Sequence, residues 1–465
     1  MKQSESPRNE KADLAKLHHE VPAVGMSAFF TDPVLRAPTL GSMLMCVAAS
    51  LVGVIVVLRK RSLIGETLSH ASYPGVVLSV IIASMLFGYS DETISIAILL
   101  GAFFFSVLGL LAVETMERKL QVKSDAALCF VLSTFLGVGI LMASRIQITH
   151  AIWYRQIQVF LYGQAATMTD MHIWIYGALA FLTIGFIFLL FPQIKLIAFD
   201  RLFAATIGLK GKTVDAFSFI LLVLAIVIGI RSVGVVMMSG MLIAPAVAAR
   251  QFSDRLSQVF FLAGIFGALS GFLGIYLSVE IPVWLAKEGR NFYLPTGPMI
   301  ILVAGFICFS SLLFAPKRGV LFRGIRILRF NYQCLRENVL KNLWKFGPQK
   351  PMLTADLRQT LSAPLWLFTI LLFQLKGQRF VRSQNGRISL TGDGEKKARR
   401  IVRLHRLWEV YLFTYLGMDV EKVHASAEEM EHILTKDLEE KLTLLLHDPK
   451  KDPHHQPIPE TGRWL

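Results

Sequence analysis

The chain has 465 residues, 54% of them hydrophobic, and a mean hydropathy of +0.53. These values exclude an ordinary soluble globular protein and point to a polytopic membrane protein. Charge is unevenly divided: 26 of the 48 Lys and Arg, but only 16 of the 33 Asp and Glu, lie in residues 316–465. Much of the net charge of +15 therefore sits on a short basic tail suited to an anionic partner, nucleic acid or a lipid surface.

Residues 1–38 are polar and lack the short apolar core and small-residue cleavage site of a signal peptide. Nine apolar runs then follow, at about 40–58, 73–87, 93–113, 126–143, 171–191, 216–230, 233–249, 259–279 and 297–315. The stretch 216–249 reads either as two helices with a tight turn or as one broken helix. Basic loops (Arg59-Lys60-Arg61, Arg118 to Lys123, Lys195 to Lys212, Arg250 to Arg255, and all that follows Pro316) fall on one side of such a bundle. The positive-inside rule then puts the N-terminus outside and the tail in the cytoplasm. Gly264, Gly267, Gly271 and Gly274 form a row that permits close helix packing. Cys46, Cys129, Cys308 and Cys334 show no pairing pattern, which fits reduced or buried thiols.

Lys317–Arg329 reads as a basic linker resting on anionic headgroups. Beyond it the periodicity is that of a soluble domain. It predicts helices over 331–346, over 354–360 with Thr354 as N-cap, and from Pro364 to about 376. Residues 379–390 alternate about Asn385-Gly386, a strong hairpin signal. Helix, helix, turn, helix and wing is the order of a winged helix-turn-helix. Two further helices are expected, at about 394–416 and 420–434. The predicted fold is thus an all-α polytopic bundle of about nine spans, followed by a winged helix-turn-helix and a helical metal-binding and dimerisation domain. The boundaries are 1–38, 39–316, 317–330, 331–391 and 392–465.

Three stretches of the membrane part carry chemistry. Glu66, Ser69 and His70 precede Pro74-Gly75 at a span boundary, and polar groups at membrane depth usually mark a pathway. Asp200-Arg201 to Gly208 lies in a basic loop. Residues 234–249 form a small-residue span with Ala244-Pro245 at its middle. Together they resemble the permease subunits of metal-type ABC importers, the zinc, manganese and iron uptake family, over about 35–316. The resemblance implies an ion path at Glu66, Ser69 and His70, with Glu66 where Asp is usual. It also implies a coupling helix at Asp200, Arg201 and Gly208 that docks into a separate ATPase. Gly211-Lys212-Thr213 imitates the end of a phosphate-binding loop, but position 206 is Thr and no strand precedes it. No nucleotide is therefore expected on this chain, which reads as a transport subunit and not an enzyme. A solute-binding protein and a second permease subunit are the further partners implied, in the bacterial inner membrane.

In the tail, Glu428, Glu431 and His432 stand at i, i+3 and i+4, with His424 one turn earlier and His405 and Glu409 forming a second i, i+4 pair. Imidazoles with carboxylates suit Mn, Fe, Zn or Co. With Leu390-Thr391-x-x-Gly394, His405-Arg-Leu-Trp-Glu409 and Asp452-Pro-His-His-Gln-Pro, the tail resembles the diphtheria toxin repressor and manganese transport regulator family over about 331–460. That resemblance implies a homodimer with Glu428, Glu431 and His432 as metal ligands, and His405, Glu409 and His424 in the ancillary position. Glu428 stands where iron-responsive members carry Cys, so Mn or Fe(II) is the expected ion. Two features depart from the family. Asn338 follows Glu337 where a ligand is normal, and Lys341 stands where manganese-type members carry Glu. The recognition helix, Leu365 to Gln374, is also unusually apolar, leaving Thr369, Gln374, Lys376 and Arg379, with wing residues Arg382 and Arg387, as operator-DNA contacts. The chain thus reads as an importer permease joined to a metal-responsive repressor, an arrangement in which proteolysis can separate the two. The alternative is a tail that senses metal and regulates transport in cis, without DNA.

Overall fold

The computed structural model describes residues 25–87, 91–149, 151–287, 292–347, 350–361, 364–430, 432 and 436–460. It divides into two compact units, one ending at Phe322 and one starting at Arg323.

The first unit is entirely helical among its described residues: α1 (Ala28–Thr31), α2 (Pro33–Leu58), α3 (Leu63–Phe87), α4 (Asp91–Arg118), α5 (Ser124–Thr149), α6 (Ala151–Tyr162), α7 (Asp170–Phe199), α8 (Arg201–Thr206), α9 (Gly211–Val233), α10 (Met238–Phe252), α11 (Leu256–Lys287) and α12 (Thr296–Phe314). Asp32 starts α2: its carboxylate accepts from the Val34 amide at 2.8 Å, with Pro33 in the first turn. Each of the nine apolar runs falls mainly on a helix, but among the described residues only seven helices are long and apolar enough to cross a membrane. The two others are α10, with 15 residues, and α3, whose first half carries Glu66, Thr67, Ser69 and His70. The ambiguous 216–249 stretch is two helices, α9 and α10, parted at Gly234, whose φ is +95°. A Cβ at Gly234 would lie 2.6 Å from the Leu161 carbonyl oxygen, so only glycine serves there.

The bundle is built around α2, whose Met45, Ala49 and Val52 are buried with Ile226 of α9 and Leu242 of α10. The glycine row acts as packing. A Cβ at Gly267 would meet the Cys46 carbonyl oxygen at 2.6 Å, and one at Gly271 the Ser42 carbonyl oxygen at 2.8 Å. Close backbone approach of α11 to α2 supplies the van der Waals contact that holds helices together in lipid. Phe104, Phe181, Phe188, Phe261 and Phe306 are exposed, as side chains facing acyl chains should be.

The stretch expected as a linker is mostly helical: α13 (Val320–Phe346) begins at the end of the first unit and lies mainly in the second. Then come β1 (Met352–Leu353), α14 (Thr354–Leu361), α15 (Leu365–Gly377), β2 (Val381–Gln384) and β3 (Arg387–Leu390), in an antiparallel sheet of order β1-β3-β2. The expected hairpin is present, with Asn385 at φ +47° and Gly386 at φ +71°, the conformation that Asn-Gly favours in a two-residue turn. Thr354 gives its hydroxyl to the Gly386 carbonyl at 2.7 Å, tying α14 to the wing. Leu340, Leu357, Phe368, Leu371, Leu375 and Ile388 form the core. Next follow α16 (Gly392–Leu416), α17 (Val420–Met430) and α18 (Lys436–Leu445). Thr391 caps α16 by accepting from the Gly394 amide at 3.1 Å, and a Cβ at Gly394 would collide with the Phe380 carbonyl. Those two constraints explain the Thr391-x-x-Gly394 motif physically.

Candidate metal centre

His405 and Glu409 stand one turn apart on α16, and the loop at Gly417 (φ +61°) returns the chain so that α17 presents His424 to them. The Glu409 Oε1 lies 3.0 Å from His405 Nε2 and 2.8 Å from His424 Nδ1, and the two ring nitrogens are 3.0 Å apart. His405 and Glu409 are buried, while His424 is about half exposed, so the cluster is open on one side only. Burial pushes the Glu409 carboxyl upward. Hydrogen bonds and charge from His405 and His424 outweigh it and hold the group down at about 2. Two imidazole nitrogens and one carboxylate oxygen, all within 4.8 Å of one another, make the one three-donor group capable of holding an ion among the described residues. The donor set suits a divalent ion of the Mn to Zn series.

The other half of the expected ligand set is arranged differently. Glu428 lies 3.5 Å from the Lys341 ammonium, which also stands 3.3 Å from His405 Nδ1. His432 Nδ1 lies 2.6 Å from Glu337 Oε2. Glu431 falls outside the described residues. So three of the six predicted ligands come together, and two others are each held by a residue of α13. In the sequence Glu337 stands out only as the acid before Asn338, not as the partner of His432. Its i, i+4 spacing to Lys341 was the available signal.

In the membrane unit, His70 is buried on α3, and its Nδ1 has no hydrogen-bond partner among the described residues. Ser69 is fully buried and donates to the Gly65 carbonyl at 2.7 Å, and Glu66 is half-buried one turn before His70. A buried imidazole nitrogen without a hydrogen bond among the described residues is costly. Asp200 caps α8 by accepting from the Phe203 amide at 2.9 Å. Arg201 reaches Asp215 of α9, and Gly208 has φ +80°. Phe199, Leu202, Phe203 and Ile207 around α8 are exposed. Nearby lies a cleft of about 700 Å³, lined by Arg59, Arg61, Arg118, Arg201, Glu114, Glu117 and Asp215.

On α15, Thr369 gives its hydroxyl to its own helix, to the Leu365 carbonyl, and Gln374 accepts from the Tyr332 hydroxyl. Lys376, Arg379, Arg382 and Arg387 are exposed, as are Trp366, Ile370 and Phe373.

Comparison with known proteins agrees with this division. Residues 31–315 match the ABC 3 transport family, and residues 391–460 match the iron dependent repressor, metal binding and dimerisation domain. A probable metal transport system membrane protein of Chlamydia trachomatis is 34% identical over 447 residues, covering 94% of this chain and 99% of its own. The manganese transport system membrane protein MntC of Bacillus subtilis is 32% identical, covering 80% of this chain and 82% of its own. The solved structure of PsaBC from Streptococcus pneumoniae in complex with Fab superposes with a TM-score of 0.53 at 25% identity, over 64% of this chain and 98% of that one. The chain is a member of the ABC 3 transport family, a metal permease that carries a C-terminal iron-dependent-repressor domain.

Proposed function

We propose that this chain forms the ion path of an ATP-driven importer of Mn, Fe or Zn, and that its C-terminal domain binds Mn or Fe(II) and represses transcription as a homodimer. The His405–Glu409–His424 cluster carries the sensing half of this reading. It supplies a buried, ionised carboxylate and two imidazoles in a domain attached to a metal permease. The bound ion would be held by these three residues, with Glu428, Glu431 and His432 contributing the other half. When bound, it would tie α16 to α17. Hydrolysis of ATP falls to a separate ATPase docked at α8. A solute-binding protein delivers the ion, and a second permease subunit completes the membrane part. The basic-loop pattern supports a cytoplasmic C-terminal domain, where operator DNA is within reach whether or not proteolysis frees it.

One observation weighs against base readout and keeps a second reading, a sensor that acts on transport in cis, in the test. The face of α15 that would enter DNA exposes Trp366, Ile370 and Phe373, and its Thr369 and Gln374 are engaged within the chain. The deciding experiment has two measurements. Uptake of radioactive Mn into cells expressing the chain with its ATPase should depend on ATP. A metal-dependent mobility shift on the promoter of the chain's own gene should require His405 and His424. Uptake without the shift leaves the in-cis sensor.

A further inference from the structure

Lys341 lies in the last turns of α13 among buried apolar residues, with Val339, Leu340 and Leu343 beside it, and its own side chain is 3% exposed. A buried ammonium persists only where other groups compensate it. Here its neighbours include Glu428 Oε1 at 3.5 Å and His405 Nδ1 at 3.3 Å. Those two residues come from different helices, α17 and α16, and both belong to the expected ligand set. A carboxylate oxygen and an imidazole nitrogen are what a divalent ion would seek in the same place.

We propose that Lys341 is a tethered cation that competes with the divalent ion for this domain's donors, so that loading requires more metal than the same ligands would need without it. The proposal rests on the metal-centre reading above. An ammonium this close to the ligands repels an incoming dication and already pairs with Glu428. The tautomer of His405 adds to this repulsion. An ammonium only donates, so its contact with Nδ1 uses that nitrogen's lone pair and leaves the ring proton on Nε2. Yet Nε2 is the nitrogen that faces Glu409 and His424. An ion taking the cluster needs Nε2 bare, which moves the proton to Nδ1, donor against donor with Lys341. Loading therefore requires the ammonium to withdraw from His405. Glu337 does the opposite for His432, because a carboxylate that accepts from Nδ1 keeps the ring proton on that nitrogen. One helix thus supplies a helper and a competitor.

The test is a Mn(II) titration of the purified full-length chain in detergent, with the free ion read by electron paramagnetic resonance. A His405→Ala/His424→Ala chain gives the binding that occurs elsewhere, to be subtracted. Lys341→Met keeps the volume and removes the charge, and should tighten the His405-dependent binding by about tenfold or more. Lys341→Arg keeps the charge and should bind as the parent does. Should Lys341→Met not fold, Lys341→Gln makes the same comparison. Equal or weaker binding by the neutral variant, with both chains above the reference, overturns the competition alone. No binding above the reference in either chain overturns the metal centre with it.

Discussion

Arg201, the first residue of α8, holds Asp215 of α9 at 2.5 Å, and the other carboxylate oxygen of Asp215 reaches Arg59 at the end of α2, at 2.9 Å. One carboxylate therefore links the exposed helix α8 to the central helix of the bundle. Asp215→Ala should cut that link and leave Arg59 partly buried without its acidic partner. In proteoliposomes with the ATPase, ions moved per ATP should fall while hydrolysis continues. Gly208→Val should act similarly by another route. A Cβ there meets nothing, but the positive φ costs a β-branched residue about 1–2 kcal/mol, which disfavours the turn that ends α8. An unchanged transport-to-hydrolysis ratio in both variants would remove α8 from the coupling role.

For the ion path, His70→Ala should lower Mn uptake and leave the amount of chain in the membrane unchanged. The imidazole is buried with an unpaired Nδ1, so its removal takes away a donor that no internal hydrogen bond among the described residues uses. Ser69→Ala should matter less, since that hydroxyl is already bonded to the Gly65 carbonyl. Equal uptake by His70→Ala and the parent would return His70 to a packing role.

Metal removal gives a third expectation. An ion that binds only the folded domain stabilises it by about 2.7 kcal/mol when present at a hundred times its Kd. Adding Mn(II) to chelator-treated chain should therefore raise the melting temperature of the C-terminal unit by several degrees. His405→Ala/His424→Ala should abolish the rise. A shift of the same size in that variant would place the ion elsewhere.

The buried Glu409 makes a prediction in acid. Its carboxyl is held at about 2, below the ordinary value of about 4.3, because the His405 and His424 bonds outweigh burial. A group lowered on folding adds stability that is complete above its unfolded value and is lost as pH falls through its folded one. With chelator present, the C-terminal unit should lose stability from about pH 4.5 down to about 2. Glu409→Gln should be less stable at neutral pH and show a flatter acid limb. Parallel limbs in the two chains would mean that the carboxylate contributes nothing.

Features set by near neighbours in the chain were legible in the sequence. Asn385-Gly386 fixed the wing, His405 and Glu409 stood out as an i, i+4 pair on one helix, and the glycine row on α11 anticipated a close helix approach. Other features needed the third dimension. The basic run at 317–329 carries the charge of a linker, yet from Val320 it continues α13, because long basic and apolar side chains are good helix formers. The pairing of Lys341 with Glu428 and His405, 87 and 64 residues away, leaves no periodic trace in the chain. Asp215 is an ordinary acid near a helix start until the fold brings Arg201 and Arg59 to either side of it.

DNA binding is the sharpest remaining test of the tail. Thr369 and Gln374 are engaged within the chain, so base readout by α15 should be poor. Exposed Lys376, Arg379, Arg382 and Arg387 remain to meet phosphates. A dimer would set two such faces about one DNA turn apart, on a pseudo-palindrome. Affinity should then fall steeply with salt. Arg382→Ala/Arg387→Ala should weaken binding to all sequences alike and reduce the slope of log K against log salt by about 2, one for each phosphate no longer neutralised. Trp366→Ala should leave that slope unchanged, since an indole carries no charge. If the double arginine variant keeps the parental slope, the wing is not on the phosphate backbone. The basic surface would then belong against lipid headgroups or the ATPase, as the in-cis sensor requires.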